Sequence, residues 1–292
     1  MSFFAVGPAA AQFSYQFTDL GALWGAASQA HGINDQGQVV GYSVTSQTVT
    51  ALLWTGGAVT ALPHLAGQYS TAVDINNHGV IVGGIAFGGY YRPAVWRNGV
   101  VEQLSRAGGG VTPEGVANSI NDAGVVSGTT SFRDHPLQIF SYSTAVTWDA
   151  SGVRTELPDN SPYAAGLAIN AAGQVAGYIG FPSGGSTHNL PSTLPTTWMP
   201  AYSTQTGLIW DARANDINDR GQFVGTTGVP SGGSPAHPRA ILWHDGMAVD
   251  LGQGTAHALN EAAQIVGHSG STFSAGMRAT LWHDGTTLDL NT

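Results

Sequence analysis

Cysteine and lysine are both missing from this 292-residue chain. Without cysteine there is no disulfide, no thiolate metal site and no thiol nucleophile, and the redox compartment is left open. Without lysine there is no Schiff base, no lysine general base and no lysine phosphate clamp; all nine basic side chains are arginine. Charge of either sign is scarce at 9% of residues, and the formal net charge of −9 excludes a nucleic-acid backbone as partner, because neutralising phosphates takes a clustered basic excess. No apolar run approaches membrane-spanning length, so no membrane span is expected. Helix should be nearly absent as well, since exposed helical faces need Lys, Glu and Arg, whereas 41 glycines suit many short strands joined by tight turns.

What the chain does have is a repeat. Six times an Asn is followed seven residues later by a Gly, within a segment of the form small-x-x-Ile-Asn-x-x-Gly-x-Val-x-Gly: Asn34/Gly41, Asn76/Gly83, Asn121/Gly128, Asn170/Gly177, Asn218/Gly225 and Asn260/Gly267. Successive asparagines lie 42 to 49 residues apart. Such a period marks one supersecondary unit copied along or around an axis, because a single unit cannot bury its apolar face alone. The second unit shows four strand-length runs: Ala72-Val73-Asp74-Ile75, Val80-Ile81-Val82, Pro93-Ala94-Val95-Trp96 and the run from Val100 to Leu104. Between the first two runs, Asn bonds its own backbone two residues on and Gly supplies the positive φ of the turn.

Four antiparallel strands per unit, six times over, predict an all-β fold, a six-bladed β-propeller of four-stranded antiparallel blades. A fourth-strand pattern also stands ahead of the first unit, Phe17-Thr18-Asp19-Leu20, and again at the end, Thr287-Leu288-Asp289-Leu290, which predicts a ring closed by strands from both termini. Residues 14–292 are expected to form one propeller domain. Residues 1–13, with Ala9-Ala10-Ala11 after a short apolar run but no positive n-region, are either a signal-peptide remnant or a disordered start.

Turns such as Arg97-Asn98-Gly99, His244-Asp245-Gly246 and His283-Asp284-Gly285 each follow a Trp directly. The twice-seen Trp-His-Asp-Gly is therefore expected to be a hairpin turn rather than a metal or catalytic motif, with His244 and His283 facing solvent. The Trp series at 54, 96, 148, 198, 243 and 282 is expected to pack between neighbouring blades.

The Ala-x-x-Ile-Asn-x-x-Gly-x-Val-Val-Gly core, with Phe-Thr-Asp-Leu-Gly ahead of it and Arg-Ala-x-Leu-Trp after it, resembles the bacterial family of extracellular HAF repeats. Ala30, Ile33, Asn34, Gly37 and Gly41 carry the likeness in the first unit, and Arg239, Ala240, Leu242 and Trp243 in the fifth; the sixth departs with Leu259 for Ile and Ala263 for the turn Gly. The resemblance implies a secreted or cell-surface protein and carries over no catalytic residue.

Function is expected in two places. The loops joining strands two and three, and strand four to the next unit, share one face in an up-and-down sheet, and all but one of the length variations fall there. Tyr90, Tyr91, Arg92, Arg133, His135, His188, His237, Arg239, His268 and Arg278 are the candidate ligand-binding residues of that face, suited to stacking on and hydrogen-bonding a polar small molecule or a polysaccharide. The second place is the first strand of each unit. If it lines the channel, Asp74, Asn118, Asn215 and Asp216 offer oxygen ligands for Ca²⁺, with His31 or His257 as a catalytic base beside it. Three functions stay open at this point: ligand binding through the loop face, a metal-assisted hydrolase or lyase reaction at the channel mouth, and a structural role in an extracellular matrix or surface assembly. Oligomeric state is not encoded in any feature of the sequence.

Overall fold

The computed structural model describes residues 18–23, 27–65, 69–87, 90–104, 114–132, 142–158, 163–181, 192–199, 202–205, 212–227, 238–271 and 274–291. Among these there are strands and turns and no helix, as the scarcity of charge implies. Unit one pairs Ala27–Ile33 with Val39–Val44, that strand with Val49–Thr55, and that in turn with Ala58–Ala61, all antiparallel. The same antiparallel succession recurs in every later repeat. One long strand, Met247–Leu259, ends unit five and begins unit six. Single parallel bridges, Val49 to Tyr69 and Ser143 to Tyr163, join neighbouring units, so hydrogen bonding divides the strands into sheets of eight, eight and seven.

The Asn-x-x-Gly turn forms as the sequence implies. Asn34 Oδ1 accepts from the Gln36 and Gln38 N–H groups at 3.1 and 3.0 Å, and Gly37 takes φ +71°. In unit six Ala263 occupies the turn-glycine place at φ +56°. The turns after the Trp residues are also hairpin turns: Asn98-Gly99, Asp245-Gly246 and Asp284-Gly285 have positive φ at both residues, the type I′ signature. His244 and His283 differ from expectation in being partly buried, with side chains 29% and 17% exposed. Each is the last residue of its strand, and its ring stands beside the turn aspartate, His244 Nδ1 3.4 Å from Asp245 and His283 Nε2 3.3 Å from Asp284.

The second glycine of the repeat has a different reason. A Cβ on Gly225 would stand 1.8 Å from the Arg213 carbonyl oxygen, and on Gly41, 1.9 Å from that of Gln29. This close approach accompanies a β-bulge at the same point of every first strand, where one residue has no partner on the second strand. The unpaired residues are His31, Val73, Asn118, Leu167, Asn215 and His257.

The core lies between units rather than within them. Val40, Ala51 and Leu62 pack with Ile75, Ile81 and Trp96 across the joint of units one and two, and four further clusters straddle the next four joints. Trp54, Trp96, Trp148, Trp243 and Trp282 are buried as expected, and Trp96 Nε1 donates to the Pro63 carbonyl at the exit of the preceding unit, 2.7 Å. Trp282 donates to Leu251 in the same way. The side chain of Trp198 lies outside the described residues.

Asparagine adds a second inter-unit device, since each turn Asn also reaches forward. Nδ2 of Asn34 donates to the Asn76 carbonyl, Asn76 to Asn121, Asn121 to Asn170, Asn170 to Asn218 and Asn218 to Asn260, all at 3.0–3.2 Å. Asn260 donates only to Gln264 of its own turn.

No core cluster among the described residues joins unit six to unit one. Ile33 is 68% exposed where its counterparts Ile75, Ile120, Ile169 and Ile217 are 4–7% exposed, and Val266 is 41% exposed where Val40, Val82 and Val224 are fully buried. Each such side chain leaves unclaimed a part of the roughly 1.5–3 kcal/mol that full burial contributes. The expected closure by strands from both termini is therefore corrected, because the sheets are not closed. Thr286–Asp289 pairs only within unit six, and residues 18–23 form no strand. The N-terminal copy of the fourth-strand pattern instead lies against unit one, where the Gly21 carbonyl accepts from Trp54 Nε1 at 3.2 Å and Leu23 packs beside Leu52. That place is then filled, and Leu290, the matching residue of unit six, is left 41% exposed.

Candidate functional site

The bulge determines what faces the axis. By adding one residue to the first strand, it turns two consecutive side chains, rather than every second one, into the central cavity. The cavity has a volume of about 710 Å³ and is lined by His31, Gly32, Val73, Asp74, Asn118, Ser119, Leu167, Ala168, Asn215, Asp216, His257 and Ala258, the bulge residue of each unit and the one after it. Ile33, Leu259, Val266 and Leu281 extend this lining into the seam between the ends of the arc. At the turn end, a shallower depression of about 240 Å³ is bordered by Asn34, Asp35, Asn76, Asn121, Asp122 and Asp219 among others.

Asp74 and Asp216, the two carboxylates next to the bulge residues, serve as joints. Asp74 Oδ2 accepts from Ser119 Oγ and from the Ile120 N–H of the next unit, at 2.8 and 2.9 Å, while Oδ1 accepts from Ile75. Asp216 repeats the pattern, accepting from Ile217 and, in unit six, from Leu259 at 2.8 Å. Burial raises the pKa of both. Asp216 is pushed up to about 7, its two N–H bonds opposing the burial and the like charges of Asp74 and Glu261 reinforcing it. Gly32 holds the same position in unit one, where a Cβ would stand 2.8 Å from the Asp74 Cα.

Asn118 and Asn215 are joints too, donating to the carbonyls of Gly166 and Ala256 in the following units at 2.7 and 2.8 Å. All four oxygen-bearing side chains expected to hold Ca²⁺ thus line one cavity, as do both candidate bases. The carboxylates of Asp74 and Asp216 and the amide nitrogens of Asn118 and Asn215 are engaged with neighbouring groups, and among the described residues no three His, Asp or Glu side chains stand together as a metal cage. As arranged, this donor set does not fit a calcium site.

The histidines are differently placed. His31 stacks on Tyr42 with ring centroids 5.3 Å apart and planes at 22°. His257 Nε2 lies 3.1 Å from Nδ1 of His268 on the adjacent strand. Burial lowers the pKa of all three, and for His257 the neighbouring His268 adds to the effect.

Of the loop-face candidates, Arg133, His135, His188 and His237 lie outside the described residues. Tyr90 and Arg92 belong to the strand Tyr90–Arg97, and Tyr91 is 40% exposed. Arg239 and Arg278 are each held by an aspartate of the fourth strand, Asp250 at 2.6 Å and Asp289 at 2.7 Å, so these two serve as cross-strand ion pairs. His268, assigned to that face from sequence, joins the cavity group through His257.

No protein-family profile matches the sequence, and no curated protein matches it. Solved structures do match in fold. A puromycin-hydrolyzing peptidase of Mycobacterium tuberculosis superposes with a TM-score of 0.61 at 10% identity over 91% of this chain and 47% of that one. An acylaminoacyl peptidase of Pyrococcus horikoshii gives 0.59 at 12% identity, over 90% of this chain and 45% of that one. The chain spans about half the length of these two peptidases. The β-propeller domain of the Trilobed protease of Pyrococcus furiosus, described as having an open velcro topology, gives 0.55 at 11% identity over 90% of this chain and 81% of that domain. At these identities the likeness is one of fold, and the fold of this chain is a β-propeller.

Proposed function

We propose that the chain is an extracellular six-bladed β-propeller of four-stranded blades that binds a neutral polar ligand, of the carbohydrate class, in its axial cavity. The observation that carries the reading is the cavity itself. Its volume of about 710 Å³ falls within the roughly 300–1,000 Å³ common for small-molecule sites. Its lining mixes apolar Val73, Leu167 and Ala168 with polar Asp74, Asn118, Asn215 and Asp216 and includes no arginine. An anionic ligand would meet the carboxylates of Asp35, Asp74 and Asp216 and no arginine, whereas a polyol could donate hydrogen bonds to their remaining lone pairs. The resemblance to extracellular HAF repeats supports the location.

A glycan array tests this with the wild type, Val73→Trp to fill the cavity and Tyr91→Ala to alter the loop face. Binding of a neutral glycan that is lost in Val73→Trp and kept in Tyr91→Ala supports the reading. Absence of any glycan binding, or loss only in Tyr91→Ala, refutes it.

One observation favours a second reading, hydrolysis within the cavity. With a pKa near 7, Asp216 is a carboxyl that can hold or release a proton near neutral pH. The matched peptidases are about twice as long as this chain, so their reaction is not transferred to it.

A further inference from the structure

Three imidazoles flank the seam. Two nitrogens bound to one ion at about 2.0–2.1 Å, with an angle of roughly 90–110° between them, stand about 2.8–3.4 Å apart. His257 Nε2 and His268 Nδ1 are 3.1 Å apart, with ring centroids at 5.2 Å and planes tilted by 41°. The pair therefore already has the spacing of two ligands on a single ion. Ligation needs the lone pair of an unprotonated imidazole, so metal and protons compete for this pair.

His31 is the third imidazole. It holds the same bulge position in unit one that His257 holds in unit six, and it lines the same cavity from the opposite edge of the seam. The intact joints indicate where His257 would reach if the seam closed. Asn118 and Asn215 each bond the carbonyl directly ahead of the next unit's bulge residue. The same geometry at the sixth joint brings residue 257 to the Ala30 carbonyl, one residue from His31.

We propose that His257 and His268, joined by His31 from across the seam, form a site for a divalent transition metal such as Zn²⁺, and that the ion clasps the two ends of the arc. Neutral imidazoles select zinc, nickel or copper over the oxygen-seeking calcium and magnesium. Among the described residues the three ligands do not yet stand together, so the ion binds two imidazoles in the open arc and gains the third on closure. Binding and closure are then linked, each favouring the other.

Calorimetric titration of zinc into the purified chain, X-ray absorption at the zinc edge and amide hydrogen exchange test the proposal together. The expected result is one zinc per chain with three imidazole nitrogens in its first shell, and slower exchange when zinc is bound at the Glu261 amide, the counterpart of the Asp219 amide that bonds across the fifth joint. Partners that only orient a ligand are worth about 10–100-fold in metal affinity, so His257→Ala or His268→Ala is expected to cost about 100-fold or more. His31→Ala should leave two imidazoles on the ion and abolish the exchange protection. The proposal is overturned if the wild type binds zinc no more tightly than the His257→Ala/His268→Ala double variant. It is equally overturned if wild-type exchange at the seam ignores zinc, a readout that needs no variant to fold.

Discussion

Asp216 ties unit five to unit six while its burial works against its charge, and that conflict has a measurable pH signature. The folded-state pKa of about 7 stands above an ordinary value of 3.8. Well below pH 3.8 the group is protonated in both states and contributes no difference. As pH rises from there, the unfolded chain loses the proton first and so holds fewer protons than the folded one, which means stability falls until the folded pKa is passed. A shift of about three units corresponds to about 4 kcal/mol in full, of which about 3 kcal/mol falls between pH 5 and pH 8. Asp216→Asn removes the titration while keeping one acceptor oxygen of similar size. Urea unfolding of both proteins at pH 5, 6, 7 and 8 gives the difference in stability, in which the lowered histidines cancel; alone, they would make stability rise with pH through their ordinary value. The wild type's advantage over the variant should shrink by about 3 kcal/mol across that range. A difference that stays constant within about 0.5 kcal/mol would show that Asp216 titrates as an ordinary carboxylate, and the account of its burial would fail.

Two further outcomes follow from the joints. Asn121→Ala loses a buried bond to the next unit as well as its own turn bond and is expected to cost about 2–3 kcal/mol, whereas Asn260→Ala loses only turn bonds and should cost about 1 kcal/mol; equal losses in chemical denaturation would contradict the forward role of the amide. Ala263→Gly relieves a left-handed backbone and should stabilise by about 1 kcal/mol, seen as a raised urea midpoint with an unchanged slope.

The strands, turns and Trp packing were legible because they follow from local chemistry. Asn34 and Gly37 fold their own hairpin, and Asn98-Gly99 accepts only a type I′ turn. The forward reach of Asn34 Nδ2 was not legible, since a repeated side chain announces its local bond but not which neighbour will stand beside it. Gly225 likewise appears as one more turn residue until the bulge brings the Arg213 carbonyl within 1.8 Å of its absent Cβ. Asp74 and Asp216 were recognisable as a pair facing the axis, but oxygen-bearing side chains look alike whether they await a cation or a backbone N–H. His257 and His268 are eleven residues apart, directly across the pairing of Ala256 with Gly267, so an alignment of the six units by their bulge would have brought them together. The open seam came from the chain's surplus fourth-strand copy. Sequence suggested that the copy completes the last unit, whereas the structure gives it to the first.

The amide bonds from Asn34, Asn76, Asn121, Asn170 and Asn218 to the backbone of the next unit all run the same way, each donating to its successor. A series of that kind has a head and a tail and takes no account of its own length. Every joint is specified by two neighbours alone, so a copy of one unit inserted in frame between any two others would find both of its joints ready-made. A ring sealed strand to strand fixes how many members it holds; joints made neighbour to neighbour do not by themselves set the number.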